Sequence, residues 1–391
     1  MASNRLIPIL LDGILRPQST SKLATSASLT PLIPKRLRHD LVKHTTTGRL
    51  VQSAGPPGRH ANAGQTVTVF GATGFLGRYL VHKLAKRGTQ VIVPYRDEDS
   101  KRHLRVMGDL GQIVPLEFDL SNETFIDDCL RHSDVVYNLI GREYETKNYK
   151  FEDVFVTGAA KLAERARNAG VGRFIQLSHL NADVGSVSKY YRTKALGEQL
   201  VREIFPGATI VRPSTFFGPE DKFLNKMVTK PFTFKVNSLD TQVRPVHVLD
   251  VAEALEMMSR APSTIGQTFE LAGPRTYTYE ELFEVLEALT LKSLTPTIGL
   301  PVWLLKLWCK TIDRLVWWPT LSEDEIVRRS IDDRETLSEG AHGFEYFGIQ
   351  PELVDHAAIS YLRYYRSSSN FDLPIQEGGM KLKQPPYNVM Q

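Results

Sequence analysis

The 391-residue chain has only two cysteines, Cys129 and Cys309, and it has no uncharged apolar run of the length that crosses a bilayer. A membrane-spanning helix needs about 18 or more such residues. Two cysteines are too few for a disulfide scaffold or a cysteine-rich zinc site, so no metal site is expected. With 42% hydrophobic and 24% charged residues, the composition excludes collagen-like and wholly disordered chains. The sequence therefore predicts a globular protein of a reducing compartment.

Acidic residues are scarce at the N-terminus. Residues 1–65 contain nine Lys or Arg but only two acidic residues, Asp12 and Asp40, so the charge of this segment is +7. Because the net charge of the whole chain is +4, the remaining residues together carry −3. The basic pI of 8.8 therefore comes from one end of the chain rather than from the folded part. A nucleic-acid partner is not expected.

Residues 1–50 combine Arg, Ser and Thr with a short apolar stretch between Arg5 and Arg16. This composition is typical of a mitochondrial presequence, which is cationic, amphipathic and removed after import. The sequence does not locate the cleavage site. A disordered basic tail on a cytosolic protein is the alternative. Residues 51–65, rich in Gly and Pro, are interpreted as a linker.

From residue 66 onward, short apolar strands alternate with helical segments of 10–15 residues. Strands are predicted at 67–70, 91–95, 113–118, 134–140, 173–178 and 209–213, with helices between them. This alternation predicts an α/β Rossmann fold, a doubly wound parallel sheet with helices on both faces, over residues 66–213. A smaller C-terminal α/β lobe, interleaved with it, is expected at 214–365, with a strand near 242–246 and helices at 248–259 and 279–289. Residues 366–391 are expected to form a polar tail.

The segment 300–318 contains all four Trp residues of the chain with only four charged residues. Such an aromatic, amphipathic stretch either belongs to the core or covers a partner or the edge of a membrane. The sequence leaves these alternatives open.

Three glycines lie between the first predicted strand and the first predicted helix. Gly71 is expected to allow a tight turn, Gly74 to let backbone N–H groups approach a pyrophosphate, and Gly77 to permit close packing of helix on sheet. The strand–turn–helix context makes the spacing specific for a dinucleotide site. The other candidate contacts in this turn are Thr73, Phe75, Leu76 and Arg78.

Arg96 follows the second predicted strand, 25 positions after Gly71, where a dinucleotide fold places the adenosine ribose. An acidic residue there selects NAD, whereas an arginine suits the 2′-phosphate of NADP. The sequence therefore predicts NADP(H), with Arg78 as a second phosphate partner. Asp119 ends the third strand and is predicted either to accept from the adenine amine or to cap the next helix.

Asn138 and Gly141 lie at the end of the fourth strand, where it passes the cofactor. Contact with the cofactor and a simple turn at the strand end are equally compatible with these two residues.

Tyr190 and Lys194 are spaced i and i+4, on one face of a predicted helix, and Ser178 ends the strand before it. A lysine beside a phenol favours the phenolate, so Tyr190 is a candidate proton donor or acceptor in carbonyl reduction, with Ser178 holding the same oxygen. The alternative is that Lys194 binds the nicotinamide ribose and Tyr190 packs without turnover.

These features resemble the atypical extended short-chain dehydrogenase/reductase superfamily. The segments TVTVFGATGFLGRYLV, NLIGREYETKNYKFEDVFV, FIQLSHLNAD and YYRTKALGE are similar to one group in particular, the accessory alpha subcomplex subunit nine of mitochondrial respiratory complex I. The similarity runs almost without a gap over residues 66–225 and more weakly through VHVLDVAEAL.

The resemblance implies a subunit that retains NADPH and supports assembly and stability of the peripheral arm near the quinone module. It implies other complex I subunits as partners, and a peripheral location on the matrix side of the inner membrane, where contact with the membrane is compatible with the sequence. Because Ser178, Tyr190 and Lys194 are all present, an active NADP-dependent matrix reductase remains the alternative, and a soluble redox sensor is a third interpretation.

Overall fold

In a computed structural model of the chain, the described residues are 65–229, 237–292 and 322–371, the segments 41–43, 50–52, 234–235, 298–299 and 304–307, and residues 294, 309 and 311. The main sheet has eight parallel strands in the order β8-β7-β6-β5-β4-β1-β2-β3. They are β1 Thr66–Phe70, β2 Gln90–Tyr95, β3 Ile113–Glu117, β4 Val135–Asn138, β5 Arg173–Leu177, β6 Thr209–Pro213, β7 Thr268–Leu271 and β8 Ala341–His342.

The α-helices with both ends in the described part of the chain complete the fold. They are α1 Phe75–Lys86, α2 Arg102–Arg105, α3 Glu123–Leu130, α4 Gly158–Asn168, α5 Lys189–Ile204, α6 Leu224–Thr229, α7 Val248–Arg260, α8 Tyr279–Thr290, α9 Glu323–Arg328, α10 Val354–Ala357 and α11 Ile359–Leu362. A π-helical segment, Asp153–Thr157, leads into α4. Two-residue strands pair outside the main sheet, among them Phe216–Phe217 with Val246–His247.

The sheet buries side chains on both faces because successive residues of a strand point in opposite directions. In β1, Val67 and Val69 pack in one core cluster with residues of α1 and α7, whereas Phe70 packs in another with residues of α3 and α4. The predicted doubly wound architecture with helices on both faces is confirmed.

The six strands predicted between residues 66 and 213 are all present, each within two residues of its predicted ends. The predicted strand near 242–246 is wrong. Two separate strands, Gln242–Val243 and Val246–His247, take its place. The break lies at Arg244 and Pro245. The Arg244 N–H donates to Asp333 Oδ2 at 2.9 Å, and Pro245 has no N–H to donate, so neither residue continues the strand pairing of Gln242–Val243.

The C-terminal lobe contributes strands β7 and β8 to the main sheet. Arg212 of β6 fastens this junction: its guanidinium bonds Glu198 of α5 at 2.6 Å and Glu270 of β7 at 3.1 Å. The carboxylate of Glu270, which is almost fully buried, also accepts from the Ser338 hydroxyl at 2.7 Å. Charge-assisted bonds therefore link β6, β7 and the turn that precedes β8.

A third core cluster holds the rest of the lobe together, with residues of α6, α8, α10 and α11. Arg366, at the start of the predicted tail, is buried, and its Nε donates to the Leu289 carbonyl at 2.7 Å. Most of the segment 300–318 lies outside the described residues. Within it, Leu305 and Cys309 are buried and Leu307 is exposed.

Among the described residues, the structure has no helix both long enough and apolar enough to pass through a bilayer.

Gly197 brings α5 close to the π-helical segment. A Cβ atom at this position would lie 2.2 Å from the carbonyl oxygen of Phe155, which is too close for any real contact. We expect Gly197→Ala to lower the free energy of unfolding by about 1–3 kcal/mol, the usual cost of overpacking. Helix propensity alone predicts the opposite sign, a gain of about 1 kcal/mol. Urea denaturation distinguishes the two.

The matched control is Gly185→Ala. The nearest atom to a Cβ there is Asp183 Oδ1, at 3.7 Å, and the position is exposed. Its free energy of unfolding should stay within about 0.5 kcal/mol of the parent, as is usual for surface changes. Equal behaviour of the two variants contradicts the steric explanation.

Candidate dinucleotide site

In the turn between β1 and α1, neighbouring backbone atoms lie so close to two of the glycines that no side chain would fit there. Gly71 has φ of +82°, and a Cβ there would lie 2.9 Å from the carbonyl of Leu139, just after β4. A Cβ on Gly77 would lie 2.6 Å from the Ala72 carbonyl oxygen. The Gly74 N–H donates to the Gly71 carbonyl at 3.0 Å and closes the turn. The turn thus has the geometry that the glycine spacing predicts.

The first turn of α1 presents backbone N–H groups at the carboxyl edge of the sheet. Gly74 is exposed and precedes the helix, which has no acidic residue in its first turn and no side-chain cap from the described part of the chain. Thr73 and Phe75 are half-buried beside it, and Leu76 is buried in the core. An uncapped helix start of this kind attracts anions, so the turn fits a pyrophosphate.

Arg96 and Asp119 lie near each other at the ends of β2 and β3. Both are exposed, and the pKa of Asp119 is lowered chiefly by bonds from Ser121, with a smaller contribution from Arg96. The capping interpretation of Asp119 is wrong, because Asn122 caps α3 by accepting from the Thr124 N–H at 3.1 Å. Asp119 accepts instead from the Ser121 N–H at 3.0 Å.

Arg78 forms an ion pair with Glu220, in the segment after β6. Within the described residues its Nε is buried and has no hydrogen-bond partner. The sequence contains no local signal for this pair, since the two residues are 142 positions apart. A phosphate contact from Arg78 stays a prediction.

The Asn138 side chain is used within the protein. Its Nδ2 donates to Gln176 Oε1 at 2.8 Å, and its Oδ1 accepts from the Ile140 N–H at 3.2 Å, so it fixes the strand end. Gly141 is exposed, and a Cβ there would meet only Phe155, at 3.7 Å. The structure thus gives Asn138 a structural role, and contact of either residue with a cofactor stays a prediction.

Ser178, Tyr190 and Lys194 lie together at the end of β5, as the sequence predicts. The ammonium of Lys194, which is buried, donates to the Ser178 carbonyl at 3.0 Å and lies 5.0 Å from the centre of the Tyr190 ring. The Ser178 hydroxyl is buried without a partner among the described residues, the state expected of a group that serves a ligand. This arrangement fits the nicotinamide ribose end of a dinucleotide.

The Tyr190 ring is enclosed by other aromatic groups and by a second cation. Phe151 and Phe155 meet it edge-on, with centroids at 5.7 and 5.2 Å, and the Arg328 guanidinium lies 4.5 Å from its centre. Cations at this distance are attracted to the ring face. Arg328 follows Tyr190 by 138 positions, so no spacing pattern in the sequence could have identified it.

His179 lies beside this cluster, 4.8 Å from the Tyr191 ring. Burial holds its pKa well below the ordinary value of 6.5, and the charges of Lys194 and Arg328 lower it further. Its Nδ1 accepts from the Asn181 N–H at 3.1 Å, which assigns the proton of the neutral ring to Nε2. No spacing pattern in the sequence marks His179 as part of the site.

A cavity of about 340 Å³ opens next to the cluster, lined by residues after β4, by α6 and by Glu325 of α9. An active reductase would need a substrate pocket above the nicotinamide, and Thr215, Phe216 and Phe217, which follow β6, are its candidates in the sequence. Phe217 is instead fully buried in the core of the C-terminal lobe and stacks on His247 at 5.1 Å. None of the three lines this cavity.

Residues 67–272, more than half of the chain, match the NAD dependent epimerase/dehydratase family. The chain therefore belongs to this family of nucleotide-binding proteins, and a nicotinamide nucleotide is the class of cofactor that the site accommodates. Solved structures share the fold. The triphenylmethane reductase of Citrobacter sp. complexed with NADP(H) has a TM-score of 0.57, with 75% of this chain and 99% of that chain covered, at 16% identity.

Two curated relatives define the group more narrowly. The mitochondrial 40 kDa subunit of NADH-ubiquinone oxidoreductase from Neurospora crassa is 45% identical over 84% of this chain and 87% of its own length. NADH dehydrogenase (ubiquinone) 1 alpha subcomplex subunit 9 from Rattus norvegicus is 37% identical over 93% of this chain and 96% of its own length. The chain belongs to this family of mitochondrial complex I subunits, and the resemblance noted in the sequence is confirmed.

The neutral state of His179 predicts a pH dependence of stability. In the unfolded chain a histidine takes up a proton below about pH 6.5, whereas folded His179 does not. The free energy of unfolding should therefore fall as the pH decreases through this range. His179→Gln should reduce the loss between pH 7.0 and 5.5 by about 1 kcal/mol, measured by denaturant titration at both pH values.

His132 is exposed and serves as the control. His132→Gln should leave the pH dependence of the parent unchanged. Parallel pH profiles for the parent and for His179→Gln would contradict a neutral buried His179.

Proposed function

We propose that this chain is an accessory subunit of mitochondrial complex I that holds NADP(H) as a structural cofactor and does not turn it over. The observation that carries the proposal is the identity of 37–45% with subunits of that complex over 84–93% of this chain. A predicted presequence at residues 1–50 supports import into the matrix. The other subunits of the complex are the partners, and the site of action is the matrix side of the inner membrane.

The preference for NADP(H) over NAD(H) rests on the end of β2. Arg96 is exposed there and places a cation beside Asp119, at the edge where the adenosine ribose lies in dinucleotide folds. A guanidinium suits a phosphate because its planar set of donors matches the phosphate oxygens.

A bound nucleotide stabilises a protein when only the folded state binds it. Here the turn at Gly71 and Gly74 holds the pyrophosphate, and Lys194 and the Ser178 hydroxyl hold the nicotinamide ribose. These residues come from strands β1 and β5 and the helices that follow them, so the nucleotide joins parts of the sheet that are far apart in sequence. This is the means by which it supports assembly of the peripheral arm near the quinone module.

The structural role of the nucleotide is also supported by the groups around Tyr190. The two cations at its ring are held by other partners, Lys194 by the Ser178 carbonyl and Arg328 by the Glu143 carbonyl at 2.8 Å. They lie near the ring itself, within 5.0 Å of its centre. Tyr190 is thus fixed by its ring and forms part of the wall of the cofactor pocket.

We expect Arg96→Glu to weaken NADPH binding about 10-fold to 100-fold, because it replaces a charge-assisted hydrogen bond with repulsion of the 2′-phosphate. NADH, which lacks this phosphate, should lose less than about 3-fold in affinity. Titration of both nucleotides by fluorescence measures the difference. Arg131→Glu, the same change of charge at an exposed residue just after α3, is the control. Equal losses for NADPH and NADH defeat the assignment.

The role as a subunit is tested by native purification from mitochondria. The chain should migrate with complex I, and its deletion should reduce the amount of assembled complex. The isolated protein should oxidise NADPH no faster in the presence of a carbonyl acceptor than in its absence. Steady turnover together with migration as a free protein favours the reductase instead.

A further inference from the structure

The six-residue helix α9, Glu323–Arg328, connects three elements that surround the predicted nicotinamide end of the site. Its Asp324 contacts the start of α5, its Glu325 contacts α6, and its Arg328 contacts the segment after β4. We call these three residues the α9 latch. Ser322 begins the helix by accepting from the Glu325 N–H at 3.2 Å.

Asp324 fixes the latch to the first turn of α5. Its carboxylate accepts from the Ser188 hydroxyl at 2.9 Å and from the Lys189 N–H at 2.8 Å. Ser188 is fully buried, and the Asp324 side chain is only 12% exposed, so water competes weakly for the bond between these two side chains. Tyr190 is the next residue of α5, and its position therefore depends on this attachment.

Arg328 fixes the latch to the other side of the site. Its Nη2 donates to the Glu143 carbonyl at 2.8 Å, while its guanidinium lies on the Tyr190 ring. Glu143 is two residues beyond Gly141, a predicted nucleotide contact. The Arg328 side chain thus joins the segment after β4 to α5, the helix after β5. These two elements form the walls of the crevice at the ends of two adjacent strands.

Glu325 adds a third connection. Its Oε1 accepts from Lys226 Nζ of α6 at 2.7 Å, across the cavity described above. The helix is therefore held on three sides by charge-assisted bonds, which are the stronger class of hydrogen bond.

We propose that the α9 latch closes the nicotinamide end of the site and that its opening limits the rate of nucleotide exchange. The inference rests on the proposed function, since it requires a nucleotide bound at the ends of the strands. The bonds of the latch join parts of the protein to each other and not to the nucleotide. They must therefore break both when the nucleotide enters the site and when it leaves. Weakening them should therefore speed association and dissociation together, whereas loss of a direct contact to the nucleotide speeds dissociation alone.

The test uses the full chain loaded with NADPH and mixed rapidly with excess NADP⁺, with the nucleotide fluorescence followed in time. Arg328→Ala should raise the dissociation rate about 10-fold and the association rate by a similar factor, with Kd changed less than about 3-fold. Asp324→Asn, which keeps one carbonyl oxygen as acceptor, should raise both rates by a smaller factor. If Arg328→Ala does not fold, Arg328→Lys retains the charge but not the planar guanidinium, and it supplies the same test.

Arg329→Ala is the matched control. It removes the same charge from the residue that directly follows α9, and the hydrogen bond of Arg329 in the described part of the chain goes to Glu325, at 2.8 Å. Its loss therefore leaves the bonds of α9 to α5, to α6 and to the segment after β4 in place. Its exchange rates should equal those of the parent.

The outcomes separate the two proposals. If folded latch variants exchange NADPH at the rate of the parent, or if only dissociation becomes faster, the latch is excluded while the proposed cofactor role stands. If the parent chain itself binds no NADPH, the proposed function fails and the latch fails with it.

Discussion

The close approach of backbone to backbone at the β1–α1 turn is the constraint on which the rest of the site depends. Gly71 lies against the carbonyl of Leu139, and Gly77 lies against Ala72, at distances that leave no room for a methyl group. This approach brings the start of α1 to the carboxyl edge of the sheet, with its N–H groups uncapped. The chemistry of the fold follows from that position, since parallel strands bring Arg96, Asp119 and Ser178 to the same edge.

The two ends of the crevice differ in how they are built. At the adenosine end, Arg96 and Asp119 are exposed at strand ends, where a ligand can reach them from solvent. At the nicotinamide end, Lys194 is buried and Tyr190 is packed among aromatic rings and cations. The proposed permanent cofactor suits this contrast, because exposed groups at one end can receive a phosphate while packed groups at the other end can hold the ligand in place.

The sequence predicts those features whose pattern spans only a few neighbouring residues. The strands from 66 to 213 and the placement of Ser178, Tyr190 and Lys194 could be predicted, because apolar periodicity and the i, i+4 spacing act over a few residues. The partners Glu220 and Arg328 could not, since each reaches its contact from more than 130 positions away. Strand β8 has only two residues, too few to show any period. The break at Pro245 was visible in the sequence, but its consequence depends on Asp333, far along the chain.

The junction between β6 and β7 makes the nucleotide-binding part and the C-terminal lobe a single cooperative unit. A chain that ends before residue 268 lacks two of the eight strands, leaves Arg212 without Glu270 and turns β6 into an open sheet edge. Proteolysis in the last third of the protein would therefore destabilise the first third, because both contribute strands to the same sheet. An incomplete copy would therefore lose stability in both parts of the chain, including the part that carries the glycine turn.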